Sequence, residues 1–210
     1  MDQFFSLLIG YAFGCFLTAD VVCRRLAGKP VFQVGVGNPG MANVGHELGT
    51  RAAALVLAGD IAKTLAAWLV VRALFPANAA VCGLAATTGA TIGHNFPAWH
   101  RFRGGKGVTT TCSAIILAAP ALGIGSAVVG LVVVLLSGYL CVGAEAITLT
   151  FLLACCVAYG PTSAYAAYAL VLAALMLWAH WSALVAAAHG TQPRASISVK
   201  FWKRLRRTRR

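Results

Sequence analysis

The stretch from Gly93 to Thr111 contains the residue types that bind phosphate. It reads G-H-N-F-P-A-W-H-R-F-R-G-G-K-G-V-T-T-T and includes four glycines, three cations, two histidines and three threonines. Glycine N–H groups can form a concave anion site, and neighbouring Lys and Arg side chains add full positive charge. The positive-inside rule alone would explain any one Arg, but it does not require Gly104-Gly105-Lys106-Gly107. The stretch therefore predicts a phosphate site at a membrane surface.

A second polar, glycine-rich stretch runs from Arg24 to Arg51. It includes the run V-G-V-G-N-P-G-M-A-N-V-G-H-E-L-G, in which Asn38-Pro39-Gly40 is a turn signal. We expect this stretch to form a loop with tight turns.

The composition indicates an integral membrane protein. Hydrophobic residues make up 60% of the chain, charged residues 10%, and the mean hydropathy is +0.80, which excludes a soluble globular domain. The formal net charge of +12 favours anionic lipids or anionic substrates as partners. Nucleic acid is the least favoured partner, because the cations border apolar runs. The seven cysteines lie in or beside apolar runs without C-x-x-C spacing, so neither a metal site nor a disulfide framework is expected.

The apolar runs predict an all-α fold, a polytopic membrane helix bundle with seven transmembrane segments. A helix needs about 20 residues to cross a hydrocarbon layer that is ~30 Å thick. Pro120 is expected to split one run into two short helices, and the run before His94 is either a tilted span or a re-entrant segment. Residues 1–193 are expected to form one membrane domain, followed by a basic tail, residues 194–210. The runs are Phe4–Val22, Ala52–Leu74, Ala79–Ile92, Cys112–Leu136, Tyr139–Ala158 and Ala164–Ala188.

The distribution of positive charge predicts the orientation in the membrane. Four cations lie in Arg24–Arg51, three in His100–Lys106 and eight from Arg194 onward. The positive-inside rule places all three segments in the cytoplasm and the N-terminus outside, which requires an odd number of crossings. The tail carries Arg194, Lys200, Lys203, Arg204, Arg206, Arg207, Arg209 and Arg210. It is expected to lie on the anionic leaflet as a short amphipathic helix, or to be an anchor and nothing more.

Two opposite charges interrupt the second apolar run. Asp60 and Lys63 are three residues apart, which places them on one face of a helix. Charge within a membrane span is costly, so the pair should face the bundle interior or a wet cavity. It is either an ion pair that joins helices or a group that contacts substrate.

These motifs resemble those of the acyl-phosphate:glycerol-3-phosphate acyltransferases of the bacterial PlsY type. G-H-N-F-P followed by F-R-G-G-K-G-V-T-T is similar to that family's G-H-x-F-P and F-K-G-G-K-G-V-A-T segments. The loop G-V-G-N-P-G-M-A-N-V-G-H-E-L-G resembles G-S-G-N-x-G-A-T-N-V-x-R-x-x-G, and Asp60-x-x-Lys63 matches D-x-x-K-G. The resemblance spans nearly the whole chain in the same order.

The resemblance implies a membrane enzyme that moves a fatty acyl group from acyl phosphate to glycerol 3-phosphate, giving lysophosphatidic acid. It implies no cofactor and no metal; membrane lipids are the other partners, and a monomer or an oligomer stays open. The implied catalytic residues are His94, Asn95 and Lys106, with His94 or the departing phosphate as the proton acceptor. The implied substrate-binding residues are Asn38, Gly40, Asn43, His46, Arg101, Arg103, Gly104, Gly105, Gly107 and His189.

Several positions depart from the family motifs. Val36 replaces Ser, Ala42 replaces Thr, His46 replaces Arg, Cys141 stands where a segment like R-Y-V-S has Ser, and Gln192 replaces Asn. Loss of Arg removes a bidentate phosphate fork that His does not reproduce. The sequence therefore leaves two alternatives to the enzyme: a catalytically impaired member with a different acceptor or a lipid-binding role, and a small anion transporter.

Overall fold

A computed structural model describes residues 1–208, in which every regular element is a helix. Arg209 and Arg210, two of the predicted tail cations, lie outside the described residues. The fold is thus an all-α membrane protein, as the apolar runs predict. The helices are α1 Asp2–Gly14, α2 Thr18–Ala27, α3 Met41–Leu48, α4 Thr50–Leu74, α5 Ala79–Asn95, α6 Val108–Ala118, α7 Pro120–Ser137, α8 Leu140–Tyr159, α9 Ala164–Ala188 and α10 Ser196–Thr208.

Five segments of the described chain are long and apolar enough to cross a membrane. They are Asp2–Ala27, which covers α1 and α2, together with α4, α7, α8 and α9. Helices α5 and α6 are shorter, with 17 and 11 residues. The bounds of α9 agree with the predicted run, and α7 begins at Pro120 as expected. The predicted count of seven is not confirmed by these lengths.

Two local features differ from the sequence prediction. The first apolar run is two helices, with a break at residues 15–17. The break contains no proline, and its residues are as apolar as their neighbours, so the sequence showed no sign of it. The stretch from Arg24 to Arg51 is not only loop, because it holds the end of α2 and the eight-residue helix α3. Gly40 and Gly49 flank α3, and their spacing leaves room for two helical turns.

The chain divides into two compact units, Met1–Ala118 and Ala119–Arg210. The first contains α1 to α6, and the second contains α7 to α10. In the second unit α7 packs on α8 and α8 on α9. Gly130 of α7 and Gly143 of α8 meet there, since a Cβ at Gly130 would lie 2.8 Å from the Gly143 carbonyl oxygen. Small residues thus let the two helices approach closely.

In the first unit, α1 packs along α5 with backbone against backbone. A Cβ added at Gly10 would collide with the carbonyl of Ala86, and one added at Gly89 would collide with the carbonyl of Leu7. Helices in a bilayer gain little from burying apolar surface against each other, so close van der Waals contact carries the association. The glycines are what make that contact possible.

The two glycine-rich stretches lie at the same end of the first unit. The Phe32 and His100 rings are 5.7 Å apart between centroids, and the Arg103 guanidinium lies 5.6 Å from the Phe32 ring. The polar loops that were expected to share one membrane face therefore contact each other.

The α4–α5 turn lies beside the N-terminus, because Asn78 Nδ2 donates to Asp2 Oδ2 at 2.9 Å at the start of α1.

Replacement of Gly10 by Ala should destabilise the first unit. The new methyl group meets the Ala86 backbone, which cannot move without displacing α5, so we expect a loss of about 1–3 kcal/mol. Gly125→Ala in α7 is the matched control, because nothing lies within 4 Å of a Cβ there and the better helix propensity should leave stability equal or higher. Thermal unfolding in detergent measures both. Equal effects of the two variants would contradict the close packing.

Candidate functional site

Asn43, in the first turn of α3, holds the first glycine-rich loop in place. Its Nδ2 donates to the carbonyl oxygens of Val34 at 2.9 Å and Asn38 at 3.0 Å, and its Oδ1 accepts from the Val36 N–H at 3.0 Å. The side chain is buried, so these bonds replace the water that the loop backbone would otherwise need. Gly35 next to it has φ +55°, a conformation that favours glycine. Asn43 thus fixes the loop that carries Asn38.

The structure places the other predicted residues of this stretch, Gly40 and His46, and the divergent position Val36 in different surroundings. Gly40 precedes α3, and its carbonyl accepts the first helical hydrogen bond from Val44 at 3.2 Å. His46 points outward, with its side chain 84% exposed and its Nδ1 2.7 Å from Glu47 Oε1. Val36 is 86% exposed. The His46 ring is therefore engaged with a neighbouring acid on the outer side of α3.

The second loop turns back on the end of α5. Arg101 and Phe102 have φ values of 54° and 57°, left-handed backbone that is strained for residues with a Cβ. The turn brings Gly105 to the end of α5, where its N–H donates to the His94 carbonyl at 3.0 Å. Tyr11 Oη donates to the Phe96 carbonyl at 2.8 Å and fixes the chain between α5 and the turn. The loop is consequently built against α1 and α5.

A buried cluster of three ionisable groups supports this loop. Lys63 Nζ lies 2.8 Å from Asp60 Oδ1 and donates to the Phe16 carbonyl at 2.9 Å, where the first run is broken. It also lies 2.8 Å from His94 Nδ1, and the relative exposures of Asp60, Lys63 and His94 are 2%, 6% and 3%. An ammonium has only donors, so His94 Nδ1 must accept and the ring proton resides on Nε2.

Gly105 rests directly on the imidazole of His94. A Cβ at this position would collide with His94 Nε2, so only glycine lets the loop lie against the ring. The chain of contacts runs from Asp60 through Lys63 and His94 to Gly105. Helices α4 and α5 and the second loop are thereby joined through one buried polar network.

The next glycine opens α6 and lies beside an unpaired amide. Gly107 has φ +74°, and its carbonyl accepts from the Thr111 N–H at 2.8 Å and the Thr110 hydroxyl at 3.0 Å. The Asn95 carboxamide is buried against Gly107, and within the described residues both its Oδ1 and its Nδ2 lack a hydrogen-bond partner. A buried amide costs free energy unless it is paired, so a ligand group at this place would satisfy it.

Lys106 stands between these glycines with its ammonium free. It is half-buried, and among residues 1–208 no acid or carbonyl pairs with it. In the same part of the chain, the N–H groups of Gly104, Lys106 and Gly107 donate to no protein acceptor, whereas that of Gly105 is occupied. The loop therefore offers one cation and three backbone donors at the positive end of α6.

The remaining predicted residues lie further out or in the other unit. Arg101 and Arg103 are exposed, with Arg103 over the Phe32 ring. His189 belongs to the second unit, follows the last residue of α9 and has its Nδ1 2.9 Å from the Val185 carbonyl oxygen. The first unit thus brings Asn38 and Asn43 to the same end as the second loop, whereas His189 belongs to the second unit.

Residues 4–190 match the sequence pattern of the family described as Glycerol-3-phosphate acyltransferase. This chain belongs to that family. Relatives with the same description include a Rubrobacter xylanophilus protein, 36% identical over 91% of this chain and 94% of its own length. A Deinococcus radiodurans protein described as glycerol-3-phosphate acyltransferase 1 is 35% identical over 92% of this chain and 96% of its own.

A solved structure has the same fold. The crystal structure of PlsY (YgiH), an integral membrane glycerol 3-phosphate acyltransferase in its glycerol 3-phosphate form, aligns with a TM-score of 0.82 and 25% identity. It covers 96% of this chain and 100% of that one. The resemblance read from the two glycine-rich motifs is therefore confirmed at the level of family and fold. The roles of individual site residues stay predictions.

Sequence reasoning missed the backbone groups that support the second loop and the buried cluster. The Phe16 carbonyl that receives Lys63 and the Cys15 carbonyl that receives Trp99 Nε1 at 2.9 Å both come from the break in the first run. No residue type marks them, because the acceptors are main-chain groups. The sequence did indicate the charge pair within the second span. It did not indicate that this pair contacts His94.

Removal of the Lys63 ammonium should unfold the first unit more readily than removal of the whole pair. Lys63→Met leaves the Asp60 carboxylate buried without its partner, and we expect a loss of about 3–5 kcal/mol. Asp60→Asn combined with Lys63→Met removes both charges and should recover most of that loss. Unfolding in detergent measures the two variants. A single variant as stable as the parent would show that the pair is not buried as described.

Proposed function

We propose that this chain transfers a fatty acyl group from acyl phosphate to the 1-hydroxyl of glycerol 3-phosphate, giving lysophosphatidic acid for phospholipid synthesis. The observation that carries the proposal is the loop Gly104–Gly107, where a free ammonium and three free backbone donors stand beside an unpaired buried amide. Membership of the acyltransferase family and the likeness to a structure in a glycerol 3-phosphate form support the same reaction. An anion transporter is not favoured by these likenesses.

The loop would hold a substrate phosphate. Lys106 supplies the charge, the N–H groups of Gly104, Lys106 and Gly107 supply directed donors, and the positive end of α6 adds to the field. The Asn95 Nδ2 would donate to the carbonyl oxygen of the acyl group as negative charge develops on it. Arg101 and Arg103, which are exposed, would attract both anionic substrates to this end of the protein.

The reaction needs no covalent enzyme intermediate, since acyl phosphate is already activated. The acceptor hydroxyl oxygen attacks the acyl carbon, and the bond from that carbon to the phosphate oxygen then breaks. Its electron pair leaves with phosphate. Lys63 occupies His94 Nδ1 and Gly105 covers Nε2, so we propose that the departing phosphate accepts the hydroxyl proton and that His94 positions the loop. The sequence left His94 and the departing phosphate as alternative proton acceptors, and this proposal takes the phosphate.

The first loop would form the other side of the same site. Asn38 is half-buried with a side-chain amide that no described residue binds, so it can contact a phosphate oxygen. Asn43 uses its whole carboxamide on the loop backbone and would act by positioning. Gly40 would keep the turn close to Asn38. His46 and His189 are substrate contacts by resemblance to the family alone.

We retain the predicted arrangement in the membrane as part of this proposal. Five candidate spans together with α5 and α6 would give the seven crossings that place the N-terminus outside. The loops around Asn38 and Lys106 and the tail from residue 194 would then face the cytoplasm, after one membrane domain over residues 1–193. Acyl phosphate, glycerol 3-phosphate and membrane lipids are the proposed partners, and no cofactor is required.

Lys106→Ala should lower the rate of acyl transfer strongly. Loss of a charged hydrogen-bond donor to phosphate costs about 1.5–3 kcal/mol, which corresponds to about a 10- to 100-fold fall in kcat/KM. Arg25→Ala is the charge-matched control, because Arg25 is exposed and belongs to neither glycine-rich motif's predicted site. Formation of lysophosphatidic acid from acyl phosphate and glycerol 3-phosphate is followed by mass. Full activity of Lys106→Ala would remove the loop from the mechanism.

His46→Arg, alone and with Val36→Ser, should raise activity toward glycerol 3-phosphate. Arg has the reach and the planar fork that phosphate recognition uses, and both positions are exposed, so the larger Arg and the smaller Ser both fit. His46→Lys is the control, since it adds the same charge without the fork. A rise of about tenfold in kcat/KM for Arg and less for Lys is expected. If neither variant raises activity and the parent binds glycerol 3-phosphate without turnover, the impaired lipid-binding alternative is the better description.

A further inference from the structure

Helix α10 is fastened to the end of α7 by hydrogen bonds. Ser198 Oγ and Trp202 Nε1 both donate to the Leu135 carbonyl, at 3.0 Å and 2.8 Å. The Ala195 N–H donates to the Gly138 carbonyl at 2.7 Å. The last carbonyls of a helix have no partner within the helix, so these donors satisfy groups that would otherwise need water. The basic tail therefore has a fixed place on α7.

A cleft lies between α10 and the last turn of α7. Its volume is about 470 Å³, within the range of small-ligand sites, and its lining residues are Leu136, Arg194, Ser198, Val199, Trp202 and Lys203. Arg194 and Lys203 bring two positive charges to it. Glu145 in α8 is the only acid in the sequence from Ala119 onward, and no described acid pairs with either cation. The cleft is thus positive and lacks a counter-anion.

An apolar stripe on α7 leads to this cleft. Val129, Val132 and Leu136 are spaced by three and four residues, so they lie on one face of the helix, and they are 41%, 46% and 67% exposed. Leu136 belongs both to the stripe and to the cleft. Val199 and Trp202 add apolar surface on the α10 side. A ligand with an anionic head and a long apolar chain matches a cationic cleft that continues into an apolar stripe.

We propose that the cleft binds an anionic phospholipid, with its phosphate on Arg194 and Lys203 and an acyl chain along the α7 stripe. Leu136, Val199 and Trp202 line the cleft together with its two cations, so a ligand that has both a phosphate and an apolar chain matches this lining better than free phosphate does. The family pattern matches residues 4–190, so Arg194 and α10 lie outside the residues that it matches. The cleft shares no residue with the proposed catalytic set His94, Asn95 and Lys106.

The test is lipid binding by the full-length protein in a neutral detergent, where no charged bilayer surface contributes. Phosphatidylglycerol, phosphatidylcholine with the same chains, and inorganic phosphate are titrated separately, and bound adducts are measured by native mass spectrometry. We expect phosphatidylglycerol to bind at least about tenfold more tightly than phosphatidylcholine. Arg194→Gln with Lys203→Gln should weaken its binding by about thirtyfold, as expected for two interfacial cations.

Arg25→Gln with Lys200→Gln is the matched control. It removes one Arg and one Lys, both exposed and outside the cleft, and should change binding by less than about twofold. Leu136→Ser should weaken phosphatidylglycerol by about tenfold without affecting inorganic phosphate. If the cleft variant unfolds, Lys203→Gln alone replaces it, because Lys203 is exposed.

Three results would overturn the proposal: equal binding of the two phospholipids, equal loss in the cleft and control variants, or inorganic phosphate binding as tightly as phosphatidylglycerol. The last would make the cleft a site for free phosphate. Repeating the titration in the Lys106→Ala background shows whether the proposed acyltransferase site contributes, because that site then lacks its lysine. Because binding is measured without acyl phosphate, a failure here leaves the acyltransferase proposal intact.

Discussion

A buried ammonium is the group on which the first unit depends. A charge in the low-dielectric interior of a membrane protein is tolerated only when it is paired and hydrogen-bonded. Lys63 meets that requirement with Asp60 on its own helix, the Phe16 carbonyl at the break in the first run, and His94 at the end of α5. These partners come from separate elements, so satisfying one charge fixes their mutual positions. This requirement also sets the geometry of the proposed phosphate-binding loop, because Gly105 lies on the ring that Lys63 contacts.

Glycine has two physical roles here, and each explains a different set of positions. In α1 and α5, Gly10 and Gly89 remove side chains so that two backbones can touch, which is how helices associate where burial of apolar surface offers no advantage. In the second loop, Gly107 adopts φ +74° and leaves its N–H free. The close helices supply a rigid support, and the loop supplies donors. A flexible loop on a loose bundle would have to be ordered by the substrate at a cost in binding free energy.

The fold was predictable from the sequence wherever one local signal decided it. Pro120 marks the start of α7, and hydropathy alone gives the bounds of α9. The break at residues 15–17 has no such signal, since it is stabilised by Lys63 and Trp99 from distant parts of the chain. The candidate site follows the same division. Spacing predicted that Asp60 and Lys63 share a face, whereas the contact with His94, 31 residues away, depends on how α4 packs on α5. The outward direction of His46 likewise depends on Glu47 and the exposed side of α3.

Lys63 differs from Lys106 and Lys203 in what surrounds its ammonium group. Lys63 is surrounded by acceptors, so its charge is already compensated and it contributes structure. Lys106 and Lys203 have no acidic partner in the described chain, yet each lies beside apolar or amide surface that has no other ligand. An uncompensated cation beside such surface is suited to anions that carry a long hydrocarbon chain. Phospholipid synthesis handles molecules of this kind as donor and product. The effect of each lysine therefore depends on the surface beside it. Orientation in the membrane is only one consequence of the positive charge.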